Sequence, residues 1–160
     1  MFHIILFEPQ IPPNTGNIIR LSANTGVQLH LIEPLGFCLD EKSCRRAGLD
    51  YHDLAHVQLH KNLADCFEIL GAARLFAITS HGTKSLFDQK FAAGDAFLFG
   101  SETAGLPEQV HAGFTANQKL RLPMIAGNRS LNLANAASIV VYEAWRQSGF
   151  ATALKEIHCG

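Results

Sequence analysis

The chain has little net charge, few cysteines and no long apolar run. Its 160 residues carry 13 lysines and arginines against 14 acidic residues, so total charge does not indicate a nucleic-acid binder and an RNA site would need local basic clusters. No apolar run is long enough to span a bilayer. The four cysteines, Cys38, Cys44, Cys66 and Cys159, have no C-x-x-C spacing, which predicts reduced thiols and a cytoplasmic protein.

Several standard signatures are also absent. There is no G-x-G-x-x-G, Walker A, H-E-x-x-H or G-x-S-x-G motif, which weakens dinucleotide-binding, P-loop, zincin and hydrolase interpretations. The eight histidines are scattered along the chain without ligand-like spacing, so we expect no metal. The first residues lack a basic lead and a cleavage site, and we expect no signal peptide.

Apolar strand-like runs alternate with helical segments, which predicts one α/β domain over 1–160, with a largely parallel sheet and flanking helices. We expect the tail after about 150 to be loosely held. The predicted strands are 2–7, 28–33, 56–60, 74–80, 96–100 and 119–122. The first predicted helix is capped by Asn14 or Thr15, runs to 24 and is stopped by Gly26. The other predicted helices cover 40–47, 63–70, a short segment opened by Pro107, and 130–147 with Ser130 as cap.

Three polar segments stand out, and each has an ordinary structural interpretation beside a functional one. Asn14-Thr15-Gly16-Asn17 with Arg20 is a helix start, or an anion site built from helix N–H groups and a guanidinium. Residues 100–107 form a turn, or a place where glycine lets the backbone approach a ligand at a strand's carboxyl end. Residues 122–135 lead from a strand end into a helix with asparagines on one face.

The last predicted helix is slim, because alanine and serine occupy much of it. Such a helix packs closely against its own sheet, and it also permits close approach of a second subunit. Since closed two-fold dimers are the commonest oligomers, we expect a homodimer.

The three segments, in this order, resemble the SpoU branch of the SPOUT class of RNA methyltransferases. The first motif is Asn14-Thr15-Gly16-Asn17-Ile18-Ile19-Arg20, and the second is Phe99-Gly100-Ser101-Glu102-Thr103-Ala104-Gly105-Leu106-Pro107. The third is Leu122-Pro123-Met124 with Arg129-Ser130-Leu131-Asn132-Leu133-Ala134-Asn135. The resemblance is narrower still to a minimal subgroup that 2′-O-methylates the wobble cytidine or uridine of leucine tRNAs. It covers the chain to about Phe150, including Glu8-Pro9-Gln10-Ile11-Pro12-Pro13, Arg45-Arg46-Ala47-Gly48 and Val141-Tyr142-Glu143-Ala144-Trp145.

The resemblance implies a deep trefoil knot at the C-terminal end of the domain, with S-adenosylmethionine bound bent between three loops and no metal. Recognition by backbone groups is consistent with the missing charged cofactor signature. The cofactor residues carried over by position are Ile78, Gly100, Leu122 and Ser130, with Thr79, Glu102, Met124 and Leu131 as neighbours.

The implied reaction transfers the sulfonium methyl to a ribose 2′-oxygen and leaves S-adenosylhomocysteine. Arg20 is the catalytic candidate, either as a base or as a phosphate-holding group that stabilises charge on oxygen; a guanidinium is a poor proton acceptor. The candidate RNA contacts are Asn14, Arg45, Arg46, Arg129 and Tyr142. In the expected dimer, the partner's Arg20 and Arg46 serve the cofactor pocket of the other protomer.

Two positions depart from the subgroup pattern. Ser101 and Ala104 stand where a proline and an arginine are usual, and the loop at Gly127-Asn128 also differs. The missing arginine keeps two alternatives open. One is methylation at another tRNA or ribosomal RNA position, and the other is a non-catalytic RNA- or cofactor-binding module.

Overall fold

The computed structural model describes residues 1–40, 44 and 48–151. The seven strands of this part are β1 His3–Phe7, β2 Gln28–Ile32, β3 Val57–His60, β4 Leu75–Ile78, β5 Lys84–Ser85, β6 Ala96–Phe99 and β7 Lys119–Arg121. The helices are α1 Pro12–Thr25, α2 Tyr51–Leu54, α3 Leu63–Leu70, α4 Glu108–Ala112 and α5 Leu133–Gln147, with 3₁₀ turns at Leu86–Asp88 and Ala116–Gln118. The predicted helix over 40–47 and the tail beyond 151 fall almost entirely outside the described residues.

The strands form one sheet in the order β3-β2-β1-β6-β4-β7-β5, and every pair of neighbouring strands is parallel. This confirms the predicted α/β class. The central strand β6 is buried along its whole length, because both sheet faces are covered. Continuous apolar runs such as Ala96–Phe99 are typical of strands in this setting.

Two apolar clusters cover the two faces of the sheet. The larger joins Ile4, Leu29 and Phe97 to Ile18 of α1 and Val140 of α5. The smaller joins Ile5, Ile32 and Leu98 to Cys66 of α3 and to Leu106 and Phe114 around α4. Ala134, Ala137 and Ala144 of α5 are buried within the larger cluster, so the small residues of this helix serve packing inside the protomer. Among the described residues, no helix has the length and apolarity needed to cross a membrane.

Helix α1 begins earlier than predicted. Its cap position is Ile11, which makes no side-chain cap bond, and Pro12 and Pro13 occupy the first turn. The prediction of a cap at Asn14 or Thr15 is therefore wrong. Proline suits the first turn because its fixed φ matches the helix and the missing N–H would have no partner there. The predicted stop is confirmed, since Gly26 adopts φ +70° and its N–H donates to Ser22 O.

Helix α5 begins later than predicted. Asn132, not Ser130, is the cap, and its side-chain oxygen accepts hydrogen bonds from Ala134 N and Asn135 N. An asparagine caps as well as a serine does, so sequence preference did not separate the two residues. Ser130 is left outside the helix. Pro107 likewise caps α4 and does not open it.

Candidate functional site

A cavity of about 520 Å³ lies at the carboxyl ends of β4, β6 and β7. Its walls come from the loops that follow these three strands, from the starts of α1 and α5, and from α4. The carboxyl edge of an open parallel sheet is the usual place for a ligand in this fold class. The volume also falls within the range of small-molecule and cofactor sites.

All eight predicted cofactor residues line this one cavity. They come from three separate stretches of the chain, one at the carboxyl end of each of the strands β4, β6 and β7. The eight are Ile78, Thr79, Gly100, Glu102, Leu122, Met124, Ser130 and Leu131. Ile78 and Leu122 supply apolar surface, whereas Thr79 and Ser130 supply hydroxyl groups, and Leu122 is buried.

Gly100 is required by a close approach of backbone to backbone. A Cβ at this position would lie 2.2 Å from Gly105 C and 2.4 Å from Leu106 N. The turn is closed by two hydrogen bonds, Ser101 N to Gly105 O at 3.2 Å and Gly105 N to Ser101 O at 3.0 Å. Any side chain at Gly100 would push this turn into the cavity or away from it.

Glu102 links the turn after β6 to the loop after β1. Its carboxylate accepts hydrogen bonds from Gln10 N at 2.8 Å, Ile11 N at 3.1 Å and Asn14 Nδ2 at 3.1 Å. Asn14 Oδ1 in turn accepts from Asn132 Nδ2 at 2.8 Å. Three chain segments that are far apart in sequence are thus joined by polar side chains at the cavity wall. Hydrogen bonds to a charged acceptor are among the stronger ones, so the carboxylate fixes the shape of this wall.

The predicted RNA residues are more dispersed. Asn14 lines the cavity but is 6% exposed, and its amide is occupied by Glu102 and Asn132. Arg20 is exposed on α1, donates a hydrogen bond to Gly48 O, and is not part of the cavity lining. Arg129 is exposed beside Ser130. Tyr142 is exposed on α5 and packs edge-on against Trp145. Arg45 and Arg46 lie outside the described residues.

Three charged or titratable residues of the cavity lining were not predicted: His81, His111 and Arg121. The rings of His81 and His111 meet edge to face, with centroids 5.6 Å apart. Burial lowers the pKa of His111, and His81 and Lys119 lower it further, so His111 is neutral at neutral pH. Two of the three could have been found from their positions in the sequence, because Arg121 precedes the predicted cofactor residue Leu122 and His81 follows the predicted cofactor residue Thr79 by two residues.

The histidines have no ligand-like spacing in the sequence, yet three of them meet in the fold. His3, His30 and His60 come from three adjacent strands, and their ring nitrogens form a chain, His3 Nδ1 to His30 Nε2 at 3.1 Å and His30 Nδ1 to His60 Nε2 at 2.9 Å. Parallel pairing of β1, β2 and β3 brings them together, which spacing along the sequence does not show. None of the three lines the cavity. Cys38, Cys44 and Cys66 are free thiols, as predicted.

The fold and the cavity define an open parallel α/β domain with a cofactor-sized site at its carboxyl edge. Residues 1–142 match the family model described as SpoU rRNA Methylase family. The chain belongs to this family, which confirms the resemblance read from the three motifs.

Two curated relatives are named tRNA (cytidine(34)-2'-O)-methyltransferase. The protein from Methylovorus glucosotrophus is 53% identical over 154 residues, covering 96% of this chain and 100% of its own length. The protein from Burkholderia ambifaria is 56% identical over 153 residues, covering 94% of this chain and 97% of its own length.

Solved structures agree with the fold. A structure described as giving insights into the 2-OH methylation of C/U34 on tRNA superposes with a TM-score of 0.86 at 45% identity, covering 94% of this chain and 97% of that chain. The SpoU methyltransferase AviRb from Streptomyces viridochromogenes, crystallised in complex with AdoMet, has a TM-score of 0.78 at 27% identity, covering 91% of this chain and 57% of that chain.

Proposed function

We propose that this protein transfers a methyl group from S-adenosylmethionine to the ribose 2′-oxygen of nucleotide 34, the wobble position, of tRNA. The observation that carries the proposal is the single cavity that gathers all eight cofactor candidates from three separate loops. Relatives that share more than half of their residues with this chain over nearly its whole length are named for 2′-O-methylation of cytidine 34 in tRNA. The finer substrates are leucine isoacceptors with a cytidine or modified uridine at position 34.

The residues present fit the cofactor. Ile78, Leu106 and Leu122 give the apolar surface that a flat adenine ring needs, and the Gly100 turn brings backbone close to the cavity. Thr79 and Ser130 offer hydroxyl groups for the ribose and the amino acid portion. S-adenosylmethionine supplies a methyl group on a positively charged sulfur, which makes the methyl electrophilic, and the proposed reaction uses no metal.

Arg20 is the proposed catalytic residue. Its side chain is exposed and donates one hydrogen bond to the carbonyl oxygen of Gly48. Because a guanidinium has five N–H donors, others can reach a phosphate or an oxygen that gains negative charge. A guanidinium stays protonated at neutral pH, so electrostatic stabilisation suits it better than proton abstraction. Holding the 2′-hydroxyl in line with the methyl group would supply much of the remaining rate enhancement.

A homodimer explains how Arg20 reaches a cavity whose lining does not include it. Ile139 and Tyr142 are exposed on α5, which offers an apolar strip to a second subunit. In a two-fold arrangement, Arg20 and Arg46 of one protomer would face the cofactor cavity of its partner. A protein that sediments as a monomer in analytical ultracentrifugation and still transfers methyl groups at the same concentration would contradict this arrangement.

We also propose that the chain forms the deep trefoil knot implied by the resemblance. The support is the strand order, since the later strand β7 lies between β4 and β5, which one short loop joins. Gly82 in this loop packs so closely on β7 that a Cβ would lie 2.8 Å from Lys119 O. Pulling the two chain ends apart in a force experiment should give an extended length shorter than that of an unknotted chain.

The RNA is proposed to contact Arg45, Arg46, Arg129 and Tyr142, with Asn14 shaping the cavity wall beside the target nucleotide. The reaction is proposed to occur in the cytoplasm. Recovery of the protein with membranes after cell fractionation would contradict that location.

The test is a methyl-transfer assay with labelled S-adenosylmethionine and a leucine tRNA transcript. We expect label on nucleotide 34, and none on the same transcript with 2′-deoxycytidine at position 34, because the acceptor oxygen is missing. Label at another position would move the assignment to a different RNA site, as Ser101 and Ala104 leave open. Cofactor binding without transfer to any RNA would favour a binding module.

A further inference from the structure

A second group of chemically reactive side chains lies away from the cavity. His30, His60 and Cys66 form a cluster in which one imidazole nitrogen of each histidine and the Cys66 sulfur lie within 4.8 Å of one another. All three residues are buried, with 1%, 5% and 0% of their surface exposed. They come from β2, β3 and α3, and none of them lines the cavity.

The sheet register explains why these residues meet. His30 and Ile32 are two residues apart in β2, so their side chains lie on the same face of the sheet. Ile32 is paired with His60 in the adjacent parallel strand β3. Helix α3 covers this face, and its Cys66 packs in the same apolar cluster as Ile32. Two imidazoles and one thiol therefore meet between the edge of the sheet and a helix.

The chemistry of the group is that of a metal site. Imidazole nitrogen and thiolate sulfur together suit Zn²⁺ and related transition metals, and three protein ligands leave a fourth position for water. His30 Nδ1 faces His60 Nε2 at 2.9 Å, and the other ring nitrogen, Nε2, lies 3.1 Å from His3 Nδ1, so His3 is placed to orient the His30 ring. A hydrogen bond at the far nitrogen is the usual way in which a ligating histidine is held in orientation and tautomer.

Burial keeps both kinds of ligand uncharged in the absence of a metal. Burial, together with the neighbouring His3 and His60, lowers the pKa of His30 to about 4, so its imidazole is neutral at neutral pH. Burial raises the pKa of the Cys66 thiol to about 12, so the sulfur carries its proton until a metal replaces it. Metal binding at such a site would release one proton to solvent.

We propose that His30, His60 and Cys66 form a binding site for a transition-metal cation of the Zn²⁺ class, with His3 as a positioning residue. A bound cation replaces the hydrogen bond between the two imidazoles and draws the Cys66 sulfur towards them. It joins the edge strand β3 to β2 and α3. Because it binds only the folded arrangement, it stabilises this side of the sheet. The site does not depend on the proposed methyl transfer.

The experiment uses full-length protein, stripped of metal under reducing conditions and titrated with Co²⁺. We expect one equivalent to produce the thiolate-to-cobalt charge-transfer absorption, and Zn²⁺ to displace it. Cys66→Ser should remove the absorption, since a hydroxyl is a poor ligand for this metal class. Cys38→Ser and Cys159→Ser are the matched controls and should keep the absorption. Cys159 is included because it follows His158 in the sequence, and this pair could itself bind Co²⁺.

Two further measurements guard against misfolding of the Cys66→Ser variant. His60→Gln should lose the absorption independently, and Zn²⁺ should raise the unfolding temperature of the wild type but of neither variant. His3→Asn should weaken Co²⁺ binding by about 10- to 100-fold while leaving the thiolate absorption at saturation unchanged. Absence of the absorption in the wild type, its persistence in Cys66→Ser, or its loss in Cys159→Ser would overturn the site and leave a packed histidine chain.

Discussion

The wall of the cavity and the exposed residues proposed to face RNA are built in different ways. The wall is complete within one protomer, where Gly100, Glu102 and Asn132 are fixed by backbone contacts and short hydrogen bonds. Arg20, Arg129 and Tyr142 are exposed and lie outside the cavity lining. The proposed cofactor recognition would thus need only the fold of one protomer, whereas the proposed RNA recognition would need a second subunit and the RNA to bring its parts together.

The largest expected effect is on Arg20, where this separation predicts loss of one activity only. Arg20→Ala should lower the rate of methyl transfer by about 10²- to 10³-fold, the effect of removing one group that stabilises developing negative charge. The affinity for S-adenosylmethionine should stay unchanged, because Arg20 does not line the cavity. Single-turnover assays and calorimetry separate the two quantities.

Arg20→Lys is the matched variant, because it keeps the charge but not the planar fork of donors. Partial recovery of the rate would indicate charge stabilisation. Near-normal turnover of Arg20→Ala would remove this residue from the mechanism. A weakened cofactor affinity in the same variant would show that the cavity wall and the exposed residues proposed to face RNA are not functionally separate.

The next effect concerns the wall itself. Gly100→Ala places a methyl group 2.2 Å from Gly105 C, and the forced shift should cost about 1–3 kcal/mol, as overpacking does. If that cost falls on the liganded state, affinity for S-adenosylmethionine drops by about 10- to 100-fold. Gly113→Ala is the control, because its nearest neighbour is Val110 O at 3.3 Å and its φ of −73° suits alanine. Equal affinities for Gly100→Ala and wild type would show that the turn does not shape the site.

A good part of this arrangement could be predicted from sequence. The family resemblance identified the eight cavity residues by position: six lie in the second and third motifs, and Ile78 and Thr79 lie at the carboxyl end of a predicted strand. They meet because the carboxyl ends of parallel strands lie at one edge of a sheet. The cap of α5 could not be predicted, because Ser130 and Asn132 both have capping side chains and only the fold decides that Ser130 faces the cavity. The edge strand β5 is two residues long and carries no periodicity. The histidine cluster depends on strand register, which single-sequence patterns do not give.

Asn132 tests how far the wall depends on its hydrogen bonds. Asn132→Ala removes the cap of α5 and the bond to Asn14, and the free energy of unfolding should fall by about 1–2 kcal/mol. Asn132→Ser keeps a capping oxygen but not the amide that reaches Asn14. Urea denaturation of the two variants therefore separates the cap from the link between segments. Equal losses in both would assign the whole effect to the link with Asn14.

The smallest effect is expected at Arg129, on the exposed side of the comparison. If Arg129 contacts a phosphate, Arg129→Ala should weaken tRNA binding several-fold for every sequence and reduce the slope of log K against log salt by about 1. Lys90→Ala is the control, since Lys90 is exposed in the segment before β6, at the opposite edge of the sheet from the cavity. Filter binding over a salt series measures both slopes. A slope shared by wild type and Arg129→Ala would place the RNA path elsewhere, and a change confined to one tRNA species would mean that Arg129 reads a base and not the backbone.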